Sequence, residues 1–298
     1  MPAMGTESVD PRFDGIETWP TERAIEAMLT GQRAAIAAVA GASGAIAAAA
    51  EAAAARLGSG AGRIAYAGAG TSGRIGVQDG VELTPTFGWP ERRLAFLLAG
   101  GPEALMRAVE GAEDDAAAGR AAVRAEALGP GDVLIGLAAS GRTPFTIGAV
   151  AEARARGALT VALANNPGAP LLATADHPIL LDTGAEVIAG STRMQAGTAQ
   201  KAALNLLSTA IMLRLGLVHR GLMVNMRVSN AKLRARAQAM IAELAGVAQA
   251  RAGEALDLAE GDIRTAMLVA LGLPLAQARA QLDSAERPFA ALLAEARG

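Results

Sequence analysis

Gly68-Ala69-Gly70-Thr71-Ser72-Gly73-Arg74 follows the short apolar run Ile64-Ala65-Tyr66-Ala67, which reads as a buried strand. A glycine-rich turn that leaves a strand, carries hydroxyls and opens a helix suits a phosphate. Its glycines let backbone N–H groups approach the anion, and Thr71 and Ser72 add hydroxyl donors. A second stretch of the same kind, Ala138-Ala139-Ser140-Gly141-Arg142-Thr143-Pro144, follows Val133-Leu134-Ile135-Gly136-Leu137. Two strand, Ser-Gly-Arg, helix units predict one site assembled from two loops of one sheet. Gly68, Gly70 and Gly73 also fit G-x-G-x-x-G, the fingerprint of a dinucleotide fold. That fold needs an acidic residue roughly 20 residues on, at the end of the next strand. Here the next strand-like run, Leu94-Ala95-Phe96-Leu97-Leu98, ends in Ala99-Gly100-Gly101 with no acid. Phosphate binding is therefore the reading adopted.

Outward from these loops the pattern alternates. Strands are expected near 63–67, 93–98, 132–137, 159–163 and 178–182, with helices between them, notably 102–127 and 144–156. Such alternation implies a largely parallel sheet covered by helices on both faces. Ligands bind such sheets beyond the carboxyl ends of the strands, where both loops lie. Upstream, residues 1–17 read as an arm that is irregular unless a partner orders it. A helix starts near Thr18 to Glu22, with Thr18 or Thr21 as cap, and the Ala-rich stretch that follows is helix broken near Gly41–Gly44. Downstream, a long helix follows Gly190-Ser191-Thr192-Arg193 and runs to about Leu215, with Ser191 or Thr192 as its cap. Another spans roughly 229–250, and the tail from Gly253 reads as three short helices separated near Gly261 and Gly272–Pro274. The expected organisation is an arm with helices over 1–57, a phosphate-binding α/β domain over 58–250 and a small helical module over 251–298.

Composition narrows the function. The 298 residues carry a net charge of −2 and no basic run, which argues against nucleic acid as the main partner. No run of about 18 strongly apolar residues is free of charges and glycines, so no membrane span is expected. The first ten residues lack a basic-then-apolar signal pattern. There are no cysteines, so disulfides, thiolate catalysis and Cys-type zinc sites are excluded. His177 and His219 lie far apart with no triad motif around them. A cytoplasmic protein acting on a small anion is expected.

Two further features bear on chemistry. Thr198, Lys201, Asn205 and Ser208 recur at spacings of three and four and so share one face of their helix. Such a stripe is ordinarily the solvated side of the helix; otherwise it lines a cleft. Glu82 stands in Gln78-Asp79-Gly80-Val81-Glu82-Leu83-Thr84-Pro85-Thr86-Phe87-Gly88, where Pro85 and Gly88 are expected to break the helix. Glu113 stands in Val109-Glu110-Gly111-Ala112-Glu113-Asp114-Asp115, on the helix after the second strand. Glutamates on helices are ordinarily solvated, and sequence physics alone does not select Glu113 over Glu110 or Asp114.

These stretches together resemble the N-acetylmuramic acid 6-phosphate etherases, relatives of the glucokinase regulatory protein in the sugar isomerase (SIS) superfamily. The resemblance covers roughly residues 60–235. It includes both loops, Glu82 with Pro85-Thr86-Phe87-Gly88, and Val109 to Asp114. Farther on it includes Asn166-Pro167, Glu186-Val187, Gly190-Ser191-Thr192-Arg193-Met194, Ala196-Gly197-Thr198-Ala199-Gln200-Lys201, Leu222-Met223-Val224 and Asn230-Ala231-Lys232-Leu233. It implies an α/β three-layer sandwich of SIS type, with a five-stranded parallel sheet and a small C-terminal helical module, working as a homodimer. The implied reaction removes D-lactate from N-acetylmuramic acid 6-phosphate and adds water. The resemblance sets the sugar phosphate on Thr71, Ser72, Ser140 and Thr143. Gly73, Gly141 and Arg142 of the same loops, and Ser191 and Thr192, complete the candidate sugar-binding set. Acid–base work falls to Glu82 and Glu113, with no metal and no redox cofactor implied. The chain departs from the usual family residues at Gly80, Val81, Leu83, Thr84, Gln195 and Asn225. A non-catalytic sugar-phosphate sensor and a sugar-phosphate isomerase are the rival readings.

Overall fold

The computed structural model describes residues 5–58, 60, 62–284 and 289–297. Met1 to Met4 of the arm, and Ser59 and Ala61 of the glycine-rich stretch before the first strand, lie outside the described residues. The chain divides into two compact units, one of Met1–Val81 with Arg92–Ile211, the other of Glu82–Glu91 with Met212–Gly298.

The first unit is built on five parallel strands, β1 (Ile64–Gly68), β2 (Leu94–Leu98), β3 (Val133–Leu137), β4 (Leu159–Ala164) and β5 (His177–Leu180), in the order β2-β1-β3-β4-β5. Every residue of β1, β3 and β4 is buried. Covered on both faces, these strands read as continuous apolar runs rather than alternating ones. On one face, Ala65, Ala67, Leu134 and Ala162 pack with α4 (Ala116–Ala125), α5 (Pro144–Ala155) and α6 (Pro170–Thr174). On the other lie α2 (Ser43–Gly58), preceded by α1 (Thr21–Gly41), and α3, which spans Gly70–Phe87 and belongs to this unit up to Val81. Gly73, Gly76 and Gly80 form a helical stripe on α3. A Cβ at Gly80 would meet Phe96 Cε1 at 2.5 Å and Tyr66 Cε2 at 2.8 Å, so the stripe sets how closely α3 lies on β1 and β2. α7 (Gln195–Arg214) belongs to this unit up to Ile211. Among the described residues no single helix is long and apolar enough to cross a membrane; only α1 and α2 together pass that measure, bent by 55°.

The second unit is helical. α8 (Ala231–Ala245), α9 (Gln249–Leu258), α10 (Ile263–Ala270), α11 (Leu275–Asp283) and α12 (Phe289–Ala296) enclose a core that includes Met226, Met240, Ile241, Leu256, Met267 and Phe289. The side chain of Asn230 caps α8 through Leu233 N, and that of Asp262 caps α10 through Thr265 N. The breaks at Gly261 and Gly272–Pro274 fall as expected.

Six local expectations need correction. α1 starts at Thr21 behind Pro20, with no side-chain cap from Thr18 or Thr21, and the Thr18 hydroxyl donates to Gly15 O instead. The helix expected over 102–127 is only α4. Before it come two 3₁₀ turns, Pro102–Leu105 and Ala112–Asp114, and the second carries Glu113. The guanidinium of Arg74 binds the carbonyls of Ala104, Leu105 and Arg107, and Asp115 starts α4 by accepting from Ala118 N. α3 is not broken at Pro85; it runs on to Phe87 and stops where Gly88 takes φ 65°. α7 begins at Gln195 rather than at a Ser191 or Thr192 cap. The helix expected to about residue 250 ends at Ala245, with Gly246 in the left-handed conformation and Val247 N and Gly246 N both turned back on Ala242 O. The arm contains 3₁₀ turns at Pro11–Phe13 and Ile16–Thr18 and is held by its own chain through Thr6.

Helices α4 and α5 interlock at two glycines. A Cβ on Gly119 would run into Phe145 O, and one on Gly148 into Ala116 O. Alanine is worth about 1 kcal/mol over glycine in an exposed helix, but overpacking a core typically costs about 1–3 kcal/mol. Gly148→Ala is therefore expected to lower stability by about 1–2 kcal/mol in urea unfolding. An increase would show that the two helices separate freely.

Candidate active site

β1 and β3 are neighbours with Gly68 opposite Leu137, so the two Ser-Gly-Arg loops leave the sheet side by side. This is the point where strand order reverses, the usual crevice for ligands in a doubly wound sheet. α3 starts at Gly70 and α5 at Pro144, so both loops end in helix N-termini whose unpaired N–H groups favour an anion. Ser72 is 7% exposed, while Thr71, Ser140 and Thr143 are half-buried. Ser140 Oγ accepts from Arg142 N at 3.1 Å, which leaves its O–H free to donate elsewhere. Thr143 occupies the N-cap of α5 without using its side chain there. Gly141 has φ 62°, and a Cβ on it would collide with Ala169 Cβ, so only glycine fits that turn. The Arg142 side chain is exposed.

Ser191 and Thr192 lie in the turn before α7. A buried carboxylate holds that turn. Glu186 is 1% exposed and accepts from Gln195 N and Ala196 N, each at 2.9 Å, so its charge rests on the positive end of the helix. This cap comes from outside the turn, and local sequence gives no signal for it. The polar stripe of α7 divides. Thr198, Lys201 and Asn205 line an open cavity of about 490 Å³ together with Thr71 and Arg193. Ser208 instead turns inward to Asp79.

Glu113 lines a separate cavity of about 240 Å³ with Gly70, Arg74, Arg107 and Glu110. The first unit thus gathers Glu113 and the Thr71 to Gly73 loop at the same strand ends, and Arg74 is the tie between them. Glu110 lines the cavity too, so cavity lining alone does not select Glu113. Glu82 belongs to the second unit, exposed near the end of α3. There Thr84 Oγ1 donates to Trp89 O at 2.8 Å, and Asn225 Nδ2 donates to Phe87 O at 3.0 Å. These bonds fix the turn that closes the helix carrying Glu82.

All but one of the residues at which the chain departs from the usual family pattern have local structural roles. Gly80 lies against the stacked rings of Tyr66 and Phe96. Leu83 is 2% exposed, and Thr84 and Asn225 brace the turn just described. Gln195 is buried and donates to Ala185 O at 2.8 Å. Val81 is half exposed, and nothing in the structure explains its identity. Among the described residues, no three histidine, cysteine, aspartate or glutamate side chains stand together as a metal-ligating group.

Sequence reading missed Asp79. This carboxylate is 2% exposed. It accepts from Tyr66 Oη at 3.0 Å and from Ser208 Oγ at 3.1 Å, linking β1, α3 and α7. Burial pushes its pKa up to about 6, against the opposing pull of the Tyr66 and Ser208 hydrogen bonds and the Lys201 charge. Burial, with the Asp79 charge and hydrogen bond, raises the Tyr66 phenol well above its ordinary value, so Tyr66 remains a donor.

The chain is similar to known proteins. Residues 45–154 match the glucokinase regulatory protein N-terminal SIS domain, and residues 116–210 match the SIS domain. An N-acetylmuramic acid 6-phosphate etherase of Deinococcus radiodurans is 50% identical over 94% of this chain and 92% of its own. One of Rubrobacter xylanophilus is 44% identical over 93% of this chain and 92% of its own. Among solved structures, a Bacteroides fragilis protein involved in capsule formation superimposes with a TM-score of 0.51 at 19% identity, covering 68% of this chain and 95% of that one; this likeness speaks for the fold alone.

The Asp79 shift carries a pH dependence. Between 3.8 and about 6 the native state holds a proton that the unfolded chain has released, so stability falls as pH rises through that window. A shift of this size corresponds to roughly 3 kcal/mol. Asp79→Asn is expected to match wild type in urea unfolding near pH 4 and to exceed it by up to about 3 kcal/mol near pH 7.5. A difference that does not change with pH would contradict the burial argument.

Proposed function

The chain belongs to the family of N-acetylmuramic acid 6-phosphate etherases, and from that premise we propose that it removes D-lactate from N-acetylmuramic acid 6-phosphate and adds water, leaving N-acetylglucosamine 6-phosphate. The observation that carries this is 50% identity to an etherase across 94% of the chain, joined to a sheet at whose switch point two glycine-rich loops open helices. The enzyme is a carbon–oxygen lyase of SIS fold.

The phosphate is assigned to Thr71, Ser72, Ser140, Thr143 and the backbone N–H groups that open α3 and α5, with Gly73, Gly141 and Arg142 shaping those loops and Ser191 and Thr192 on the sugar. The chemistry sets the remaining demands. The C2 proton of the closed sugar is not acidic. Opening the ring gives an aldehyde at C1, which makes that proton removable. Its electrons then form a C2–C3 double bond as the lactyl oxygen leaves C3 and takes a proton. Water adds back at C3 and a proton returns to C2. A base at C2 and an acid at the lactyl oxygen are needed. By family resemblance Glu113 is the base, and Glu82 is the acid that later activates water. Supporting Glu113 is its place in the cavity beside Gly70 and Arg74.

The proposal has the enzyme work in the cytoplasm, in amino-sugar recovery from peptidoglycan, as a twofold dimer. Supporting the dimer is an apolar stripe on one side of α1, where Ile25, Leu29 and Ile36 are about half exposed; a second copy is the commonest cover for such a face.

Each acid–base residue is typically worth 10²- to 10⁴-fold in rate. Glu82→Gln is expected to stall lactate release yet still exchange the C2 hydrogen with solvent deuterium, followed by NMR. Glu113→Gln is expected to lose both. Exchange that survives in Glu113→Gln and vanishes in Glu82→Gln would reverse the roles. Unchanged lactate release in both variants would end the two-glutamate mechanism.

A further inference from the structure

Thr6 lies in the arm before α1, yet it is fully buried, and its polar groups are engaged. Its N–H donates to Asn166 Oδ1 at 2.9 Å. Its hydroxyl accepts from Asn166 Nδ2 at 3.0 Å. Its carbonyl accepts from Gly190 N at 3.1 Å. Asn166 uses its remaining Nδ2 hydrogen on Ala139 O at 3.1 Å, the carbonyl just before Ser140. The Asn166 amide can lie only one way round, because its oxygen must face the Thr6 N–H. Gly5 makes room for this contact, since a Cβ there would stand 2.5 Å from Asn166 Oδ1. Beside it, Glu7 Oε2 lies 3.2 Å from where a Cβ on Gly190 would stand.

One residue of the arm therefore reaches three segments. Through Asn166 it holds the segment after β4 and the start of the Ser140 to Thr143 loop. Through Gly190 it holds the turn that carries Ser191 and Thr192. We infer that Thr6 is a positioning residue for the sugar-phosphate site, clasping the phosphate loop and the Ser191-Thr192 turn at a fixed spacing. This rests on the reading that those loops hold the sugar phosphate. Thr6 touches no reacting atom, so its removal acts on binding and leaves the chemical step nearly alone.

Thr6→Val keeps the shape and the backbone bonds but leaves an Asn166 N–H buried without an acceptor. KM for N-acetylmuramic acid 6-phosphate, and Kd for N-acetylglucosamine 6-phosphate by calorimetry, are expected to rise roughly tenfold, as for one buried donor left unsatisfied, with kcat within about twofold. Thr6→Ser, which restores the hydroxyl, is expected to recover most of the binding. Ser140→Ala is measured alongside. If Ser140→Ala weakens binding and Thr6→Val does not, the clasp is wrong and the loop assignment stands. If Ser140→Ala binds like wild type, the loop assignment fails and the clasp with it. A loss in Thr6→Ser, which keeps the hydroxyl, equal to that in Thr6→Val would show that the hydroxyl's bond to Asn166 does not set binding and would overturn the inference. Should Thr6→Val not fold, Asn166→Asp keeps the volume and the acceptor for Thr6 N–H but cannot donate to Ala139 O; unchanged binding in that variant would equally overturn it.

Discussion

The pairing of β1 with β3 is the constraint on which the rest depends. Parallel strands point their carboxyl ends the same way, and the register that sets Gly68 beside Leu137 brings two glycine-rich loops to one place. Each loop opens a helix, so two sets of unpaired N–H groups face the same crevice. A strand order that parted β1 from β3 would separate Ser72 from Ser140. The glycine stripe of α3 and the interlocked glycines of α4 and α5 serve this arrangement from the two faces of the sheet by letting helices lie close to their neighbours.

Around that crevice the protein buries charge and binds it from specific directions. Glu186 lies on the N-terminus of α7, Asp79 joins Tyr66 to Ser208, and Arg74 gathers the carbonyls that lead to Glu113. Buried ionic groups are a weak source of stability. Their value here is geometric. Glu186 and Arg74 each link a segment near the crevice to an element of the scaffold, so that the Ser191-Thr192 turn and the Glu113 segment keep their places, and Asp79 ties β1, α3 and α7 together. Thr6 does the same without charge.

The strands were legible as short, mostly apolar runs between helical stretches, and all five fall within a residue or two of the expected spans. The placement of both glycine-rich loops was legible too: their glycines and hydroxyls sit at the ends of β1 and β3. What sequence did not show depends on distant partners. The helix expected before Asp115 fails because Arg74, far upstream, takes its carbonyls. The α7 cap comes from Glu186, and the arm is ordered by Asn166, 160 residues from Thr6. Pro85 failed to end α3 because a proline near the last turn costs one hydrogen bond, while the reversal itself waits for Gly88. Asp79 gave no signal, since a carboxylate in a helix reads as surface. The roles of Glu82 and Glu113 came from family resemblance; spacing and composition did not select either residue.

The central claim is cleavage of the lactyl ether between C3 and its oxygen, by elimination followed by hydration. Reaction of N-acetylmuramic acid 6-phosphate in ¹⁸O-water, analysed by mass spectrometry after the C1 oxygen has been washed out in ordinary water, tests it directly. The account predicts D-lactate free of ¹⁸O and N-acetylglucosamine 6-phosphate carrying one ¹⁸O at C3. Label in the lactate, or no lactate released at all, would contradict it.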